Sequence, residues 1–207
     1  METTQRAAAV ALGVRLEMVT VAWMAAEAAI ALIAALMARS VLLAAFGFDS
    51  VIELLSGLVL LWRLSAESSG ADLKRIERTE HSTARISAVL LLLLCGFVVV
   101  TSAVGLIAGL EPGDSWLGLA VAGIAVIAMP LLALGKSRVN RVVGSASLRA
   151  DIAETVTCAY MAGVTLLGVA LSFLPGLWWV QYLCALALLI WLVPETREAL
   201  EAAREAS

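Results

Sequence analysis

The sequence predicts an all-α integral membrane protein of six transmembrane helices with both termini in the cytoplasm, and three observations lead there. Of 207 residues, 62% are hydrophobic and only 15% charged, against about 45–50% and about 25% in soluble domains. Several apolar runs reach the roughly 20 residues a helix needs to cross hydrocarbon. Thirteen of the fourteen Lys and Arg residues fall on one side of the topology these runs impose, with Arg39 alone on the other; the positive-inside rule assigns the crowded side to the cytoplasm.

The runs are, in order, Leu16–Met37, Val41–Trp62, Ile86–Leu110, Trp116–Leu134, Ala150–Leu174 and Leu177–Val193. The first carries Glu17 and Glu27 and is too long for a secretory h-region, so it reads as a retained span. A turn near Arg39 separates it from the second. A polar loop from Leu64 to Arg85 leads to the third, EPGDS at 111–115 to the fourth, a basic loop from Gly135 to Arg149 to the fifth, and Pro175-Gly176 to the sixth. Trp62 and Trp191 fall at the inner interface, and Trp116, Trp178 and Trp179 at the outer one. Residues 1–207 form one transmembrane domain in this reading. The three cysteines, Cys95, Cys158 and Cys184, lie inside spans and make no disulfide framework. No nucleophile stands at recognisable spacing from the single histidine, and there is no Gly-rich phosphate loop. An enzyme or a nucleic-acid binder is therefore not expected.

Six acids fall within or at the ends of spans: Glu17, Glu27, Asp49, Glu53, Asp151 and Glu154. An acid at a helix centre costs about 2.5 to 3.5 kcal/mol on insertion scales, so the group needs a compensating reason. Every basic residue sits in a loop or at a span end, which leaves Asp49, Glu53 and Glu27 without a basic partner in the hydrocarbon. Glu17 with Arg15, and Asp151 with Arg149, can pair at the inner surface. For the deeper acids, protonation, hydrogen bonding or a bound cation remain.

Spacing favours the cation. Asp49 and Glu53 in GFDSVIELLSG are i and i+4, on one helix face. Asp151, Glu154 and Cys158 in ADIAETVTC are i, i+3 and i+7, again on one face. If spans two and five meet, Asp49, Glu53, Glu154 and Cys158 give four ligands suited to a divalent transition metal. A purely structural hydrogen-bonded cluster is the alternative, and for Cys158 a small buried hydrophobe. Glu27, Asp151 and His81 are accessory candidates. Glu27 is a proton carrier, an extra ligand or a protonated acid bonded to a neighbouring helix; His81, beside Glu77 and Glu80, is a capture point for metal or a solvated loop residue. Ser50, Ser56, Thr155 and Thr157 can support ligands by hydrogen bonds. GLIAG at 105–109 is a GxxxG that gives mild support to a homodimer.

AFGFDSVIELLSG, with its FDSxxE pair, and SLRADIAETVTCAY, with LRAD opening span five, make the chain resemble the cation diffusion facilitator transporters; EHSTAR stands where that family often has a His-Gly-Lys-Ala-Glu segment. The resemblance covers residues 15–193. It implies metal export in exchange for protons at a midplane site, with two ligands from each of spans two and five and the transported metal as the only ion held. Asp49 and Glu53 match the span-two positions; Glu154 and Cys158 stand where many zinc members have His and Asp. Zn²⁺ is the best single cargo, with Mn²⁺, Fe²⁺, Co²⁺ and Cd²⁺ as others. Only ETREALEAAREAS follows span six, so the reading is a short form without the family's cytoplasmic ferredoxin-like domain, in a bacterial plasma (inner) membrane. A proton-coupled exporter of organic cations, and a non-transporting metal sensor or scaffold, are the competing readings.

Overall fold

A computed structural model describes residues 2–68, 73–144 and 146–205, with side chains for 11–59, 61–62, 86–144, 148–149 and 151–201. Among the described residues six helices follow one another: α1 Glu2–Ala38, α2 Val41–Ser68, α3 Leu73–Ala108, α4 Trp116–Val143, α5 Ala146–Ser172 and α6 Val180–Glu205. Five are long and apolar enough to cross a membrane, over Ala11–Ala38, Val41–Val59, Ile86–Ala108, Trp116–Val143 and Asp151–Ser172. The sixth falls short on composition, because its apolar part, 180–193, gives only about 21 Å at 1.5 Å per residue before polar turns continue the helix.

The helices outrun the apolar runs. What reads as a polar loop over 64–85 is helical to Ser68 and again from Leu73, and most of the basic loop over 135–149 is the last turns of α4 and the first of α5. Hydropathy marks where a helix meets lipid; backbone hydrogen bonding continues past that point where the residues are good helix formers. The starts of α2 and α4 and the end of α4 are capped. Arg39 takes a positive φ of 51°, Ser40 Oγ accepts from Leu43 N at 3.2 Å, and Ser115 Oγ accepts from Gly118 N at 3.0 Å at the start of α4. Gly144, with φ 69°, ends α4 in the left-handed conformation that glycine adopts most easily.

In the bundle α1 lies along α2, α4 along α5 and α3 along α6, and α2 touches α5 and α6 as well. The core runs through Leu42, Leu43 and Phe46 of α2, Val98 of α3, Val121 and Ala125 of α4, Met161 and Val169 of α5 and Leu188 and Leu192 of α6. Outside it, Leu36, Leu93, Val100, Ile107, Ile127 and Leu131 are exposed, an apolar girdle suited to lipid.

Gly105 of GLIAG is spent within the chain. A Cβ there would collide with the ring of Tyr182 on α6, whose hydroxyl donates to Leu110 O at 2.8 Å. Gly105 thereby closes α3 on α6, whereas Gly109 at the other end of the motif has nothing within 4 Å. Gly105→Ala is expected to destabilise the fold by about 1–3 kcal/mol through overpacking, seen as a lower thermal unfolding midpoint in detergent. Gly96→Ala, at a position with nothing within 4 Å, should leave that midpoint unchanged.

Candidate metal-transport site

The α2·α5 contact brings the two acidic stripes together. Asp49 and Glu53, four residues apart on α2, are 1% and 3% exposed, and none of their four carboxylate oxygens has a hydrogen-bond partner. Opposite, Cys158 of α5 is fully buried, packed on Met24 and Met129, with its thiol donating to Glu27 Oε1 at 3.7 Å and abutting Glu53 without a hydrogen bond of normal geometry. Glu154 is partly buried and lies within electrostatic reach of the same acids. Among the described residues no three His, Cys, Asp or Glu side chains close into a ready-made metal shell. The four candidate ligands are thus neighbours across a helix interface whose donor atoms still stand apart.

Glu27 is held differently. Trp23 Nε1 donates to its Oε2 at 2.6 Å, and Ser50 Oγ to its Oε1 at 2.8 Å, with the Cys158 thiol as a third donor. These bonds come from α1, α2 and α5, so Glu27 ties three helices directly behind the Asp49–Glu53 pair. Its hydrogen bonds to neighbouring helices agree with the structural alternative.

Glu17 and Asp151 correct the reading of the basic residues. Arg15 and Arg149 are exposed, and the partner of both acids is Lys136. Its ammonium sits 2.9 Å from Glu17 Oε2 and 2.8 and 2.7 Å from Asp151 Oδ1 and Oδ2, with Thr155 Oγ1 at 3.4 Å. Lys136 is 1% exposed. It belongs to α4 and not to a loop, on the buried stripe that holds Met129, Ala133 and Val139. A basic side chain therefore does lie among the buried acids, although it is committed to Glu17 and Asp151. A small, partly open pocket lies between the acids of this triad and two of the deeper ones, lined by Glu17, Thr20, Met24, Glu53, Gly57, Met129, Asp151, Glu154 and Thr155.

One acid escaped the sequence reading. Glu195 of α6 interacts electrostatically with Asp49, Glu53 and Glu154, and its Oε2 is buried without a hydrogen-bond partner. The sixth apolar run ends at Val193, yet α6 passes through Pro194 to Glu205. The available signal was spacing: Glu195 continues the face of Leu188 and Leu192, both in the core. The side chain of His81, the cytoplasmic accessory candidate, lies outside the described residues.

No curated protein matches the chain. The profile of the cation efflux transmembrane domain matches residues 18–205, a stretch that takes in both acidic stripes, and the chain accordingly belongs to the cation efflux family of membrane transporters.

Proposed function

We propose that this cation efflux transporter exports a divalent transition-metal ion in exchange for protons, by alternating access at Asp49, Glu53, Glu154 and Cys158, from the cytoplasm across a bacterial inner membrane. The observation that carries the reading is the pair on α2: four buried carboxylate oxygens without a hydrogen-bond partner, in a chain whose buried lysine is engaged elsewhere. Burying carboxylates without compensation costs several kcal/mol per ion. A cargo cation or protons can supply it, and because either serves, each displaces the other.

Binding needs only a small closure. The donor atoms stand on two helices in contact, so a cation between them draws the stripes together; opening to the far side separates them again. Three carboxylates and one thiolate accept a tetrahedral divalent ion, with Zn²⁺ the best single cargo; carboxylates alone would favour harder ions such as Mn²⁺. The organic-cation reading needs aromatic faces around the acids. Phe48, nearest in sequence, is 44% exposed and set edge-on to Phe97, and Trp23 gives Glu27 its N–H.

Asp49→Ala should reduce Zn²⁺ uptake into proteoliposomes under a pH gradient by at least about tenfold, since one lost charge-pairing ligand is worth more than 1.4 kcal/mol. Uptake at the wild-type rate would remove Asp49 from the site, and saturable organic-cation transport without metal movement would replace the reading. Cys158→Ser is expected to weaken Zn²⁺ and Cd²⁺ binding more than Mn²⁺ binding in a metal titration. An unchanged affinity and ranking would assign the thiol to packing against Met24 and Met129.

A further inference from the structure

The cavity has acids at both ends, and only the deep end belongs to the transport site. At the other, Glu17 on α1 and Asp151 on α5 are drawn together by Lys136, which is not among the lining residues and grips the pair from behind. Glu17 is 1% exposed, and its Oε1 has no hydrogen-bond partner. That oxygen lies beside Gly57, where a Cβ would stand 3.2 Å from it, so the glycine leaves it open to the cavity. Across the same space Glu53, 3% exposed, presents carboxylate oxygens that also lack a hydrogen-bond partner. Buried carboxylate oxygens without a hydrogen-bond partner, from both groups of acids, thus line one small pocket.

We propose that Glu17 and Asp151, with Lys136 between them, form a second, shallower cation site on the path to the deep acids, a staging site through which the divalent cargo passes, and that the Lys136 ammonium keeps its affinity low enough for passage. The proposal rests on the transport reading above. Two carboxylates alone would hold a divalent ion; with an ammonium already between them the net charge is −1, and the ion is attracted without being trapped. Thr20 and Thr155 offer hydroxyl oxygens along the wall. Thr155 donates to Asp151 O at 2.8 Å and accepts from Lys136 Nζ at 3.4 Å, which leaves one lone pair for a passing ion.

The test uses the full chain with Zn²⁺ as probe, measuring uptake kinetics in proteoliposomes and the metal retained per chain at equilibrium. Lys136→Met is expected to lower KM and kcat for Zn²⁺ together, each by about tenfold, and to retain an additional Zn²⁺ ion per chain. Adding Glu17→Gln to it restores the net charge of −1 and should return retention to the wild-type value. Wild-type KM and retention in Lys136→Met, or lost transport with no added metal, would make the triad a structural ion pair and overturn the proposal. Should Lys136→Met not fold, the neutral triple variant Glu17→Gln, Lys136→Met, Asp151→Asn leaves no buried charge at the triad. Its KM should rise about tenfold at near wild-type kcat, and an unchanged KM overturns the staging site. Asp49→Asn run in parallel keeps the readings separate: wild-type transport in it defeats the deep site, while metal retention in Lys136→Met still reports on the outer one.

Discussion

The structure depends on how a small number of buried charges are compensated in a medium that compensates none of them. Lys136 is the pivot. Its ammonium makes close contacts with Glu17 of α1 and Asp151 of α5 from its own place on α4, so one side chain joins three helices. Removing one member of such a group leaves an uncompensated buried charge, which is strongly destabilising, whereas the intact group contributes mainly register. The register it sets matters here: Asp151 stands one turn before Glu154 and two turns before Cys158 on α5, so fixing Asp151 fixes how the α5 stripe meets α2.

The remaining acids then divide by what they are given. Glu27 receives an indole N–H, a hydroxyl and a thiol from three helices, and acts as a tie. Asp49, immediately before Ser50 on α2, and Glu53, about one turn after it, receive no hydrogen bond. The contrast is what a transporter needs: a rigid polar anchor immediately behind a pair whose compensation comes and goes. A site satisfied by its own protein would have no reason to bind cargo, and a site with no anchor would not hold its ligands in register.

Much of this was legible in the sequence because lipid simplifies the reading. Apolar length marked all five helices that can cross a membrane, and the i, i+4 and i, i+3, i+7 spacings of Asp49, Glu53, Asp151, Glu154 and Cys158 placed the acids on helices that do meet. What failed, failed where composition changes before the helix ends. Lys136 opens a basic stretch and was read with it, although it lies seven residues after Met129 on the buried stripe of α4. Glu195 follows a proline and was read as tail. Arg15 and Arg149 are near Glu17 and Asp151 in sequence, yet Lys136 reaches those acids from 119 and 15 residues away. In a helical bundle, the neighbour that compensates a buried charge is set by which faces meet, and single-helix spacing does not contain that information.

The position of the lysine also bears on direction. Two unit charges about 4 Å apart interact by roughly 4 kcal/mol at an effective dielectric constant near 20, so a single ammonium matters at every step of a cation's path. With ionised carboxylates, the outer group of Glu17, Asp151 and Lys136 carries a net −1, while Asp49, Glu53 and Glu154 carry −3, and Glu195 stands near them. In that fully ionised state a divalent ion passing from the outer group to the deep acids would meet rising negative charge. Without the ammonium the outer group would hold −2 and the rise would be smaller, which both deepens the first well and weakens the pull toward the second. Lys136 thus joins α1, α4 and α5 through its ion pairs, and on the staging proposal the same charge would leave the deep acids the more attractive to a cation.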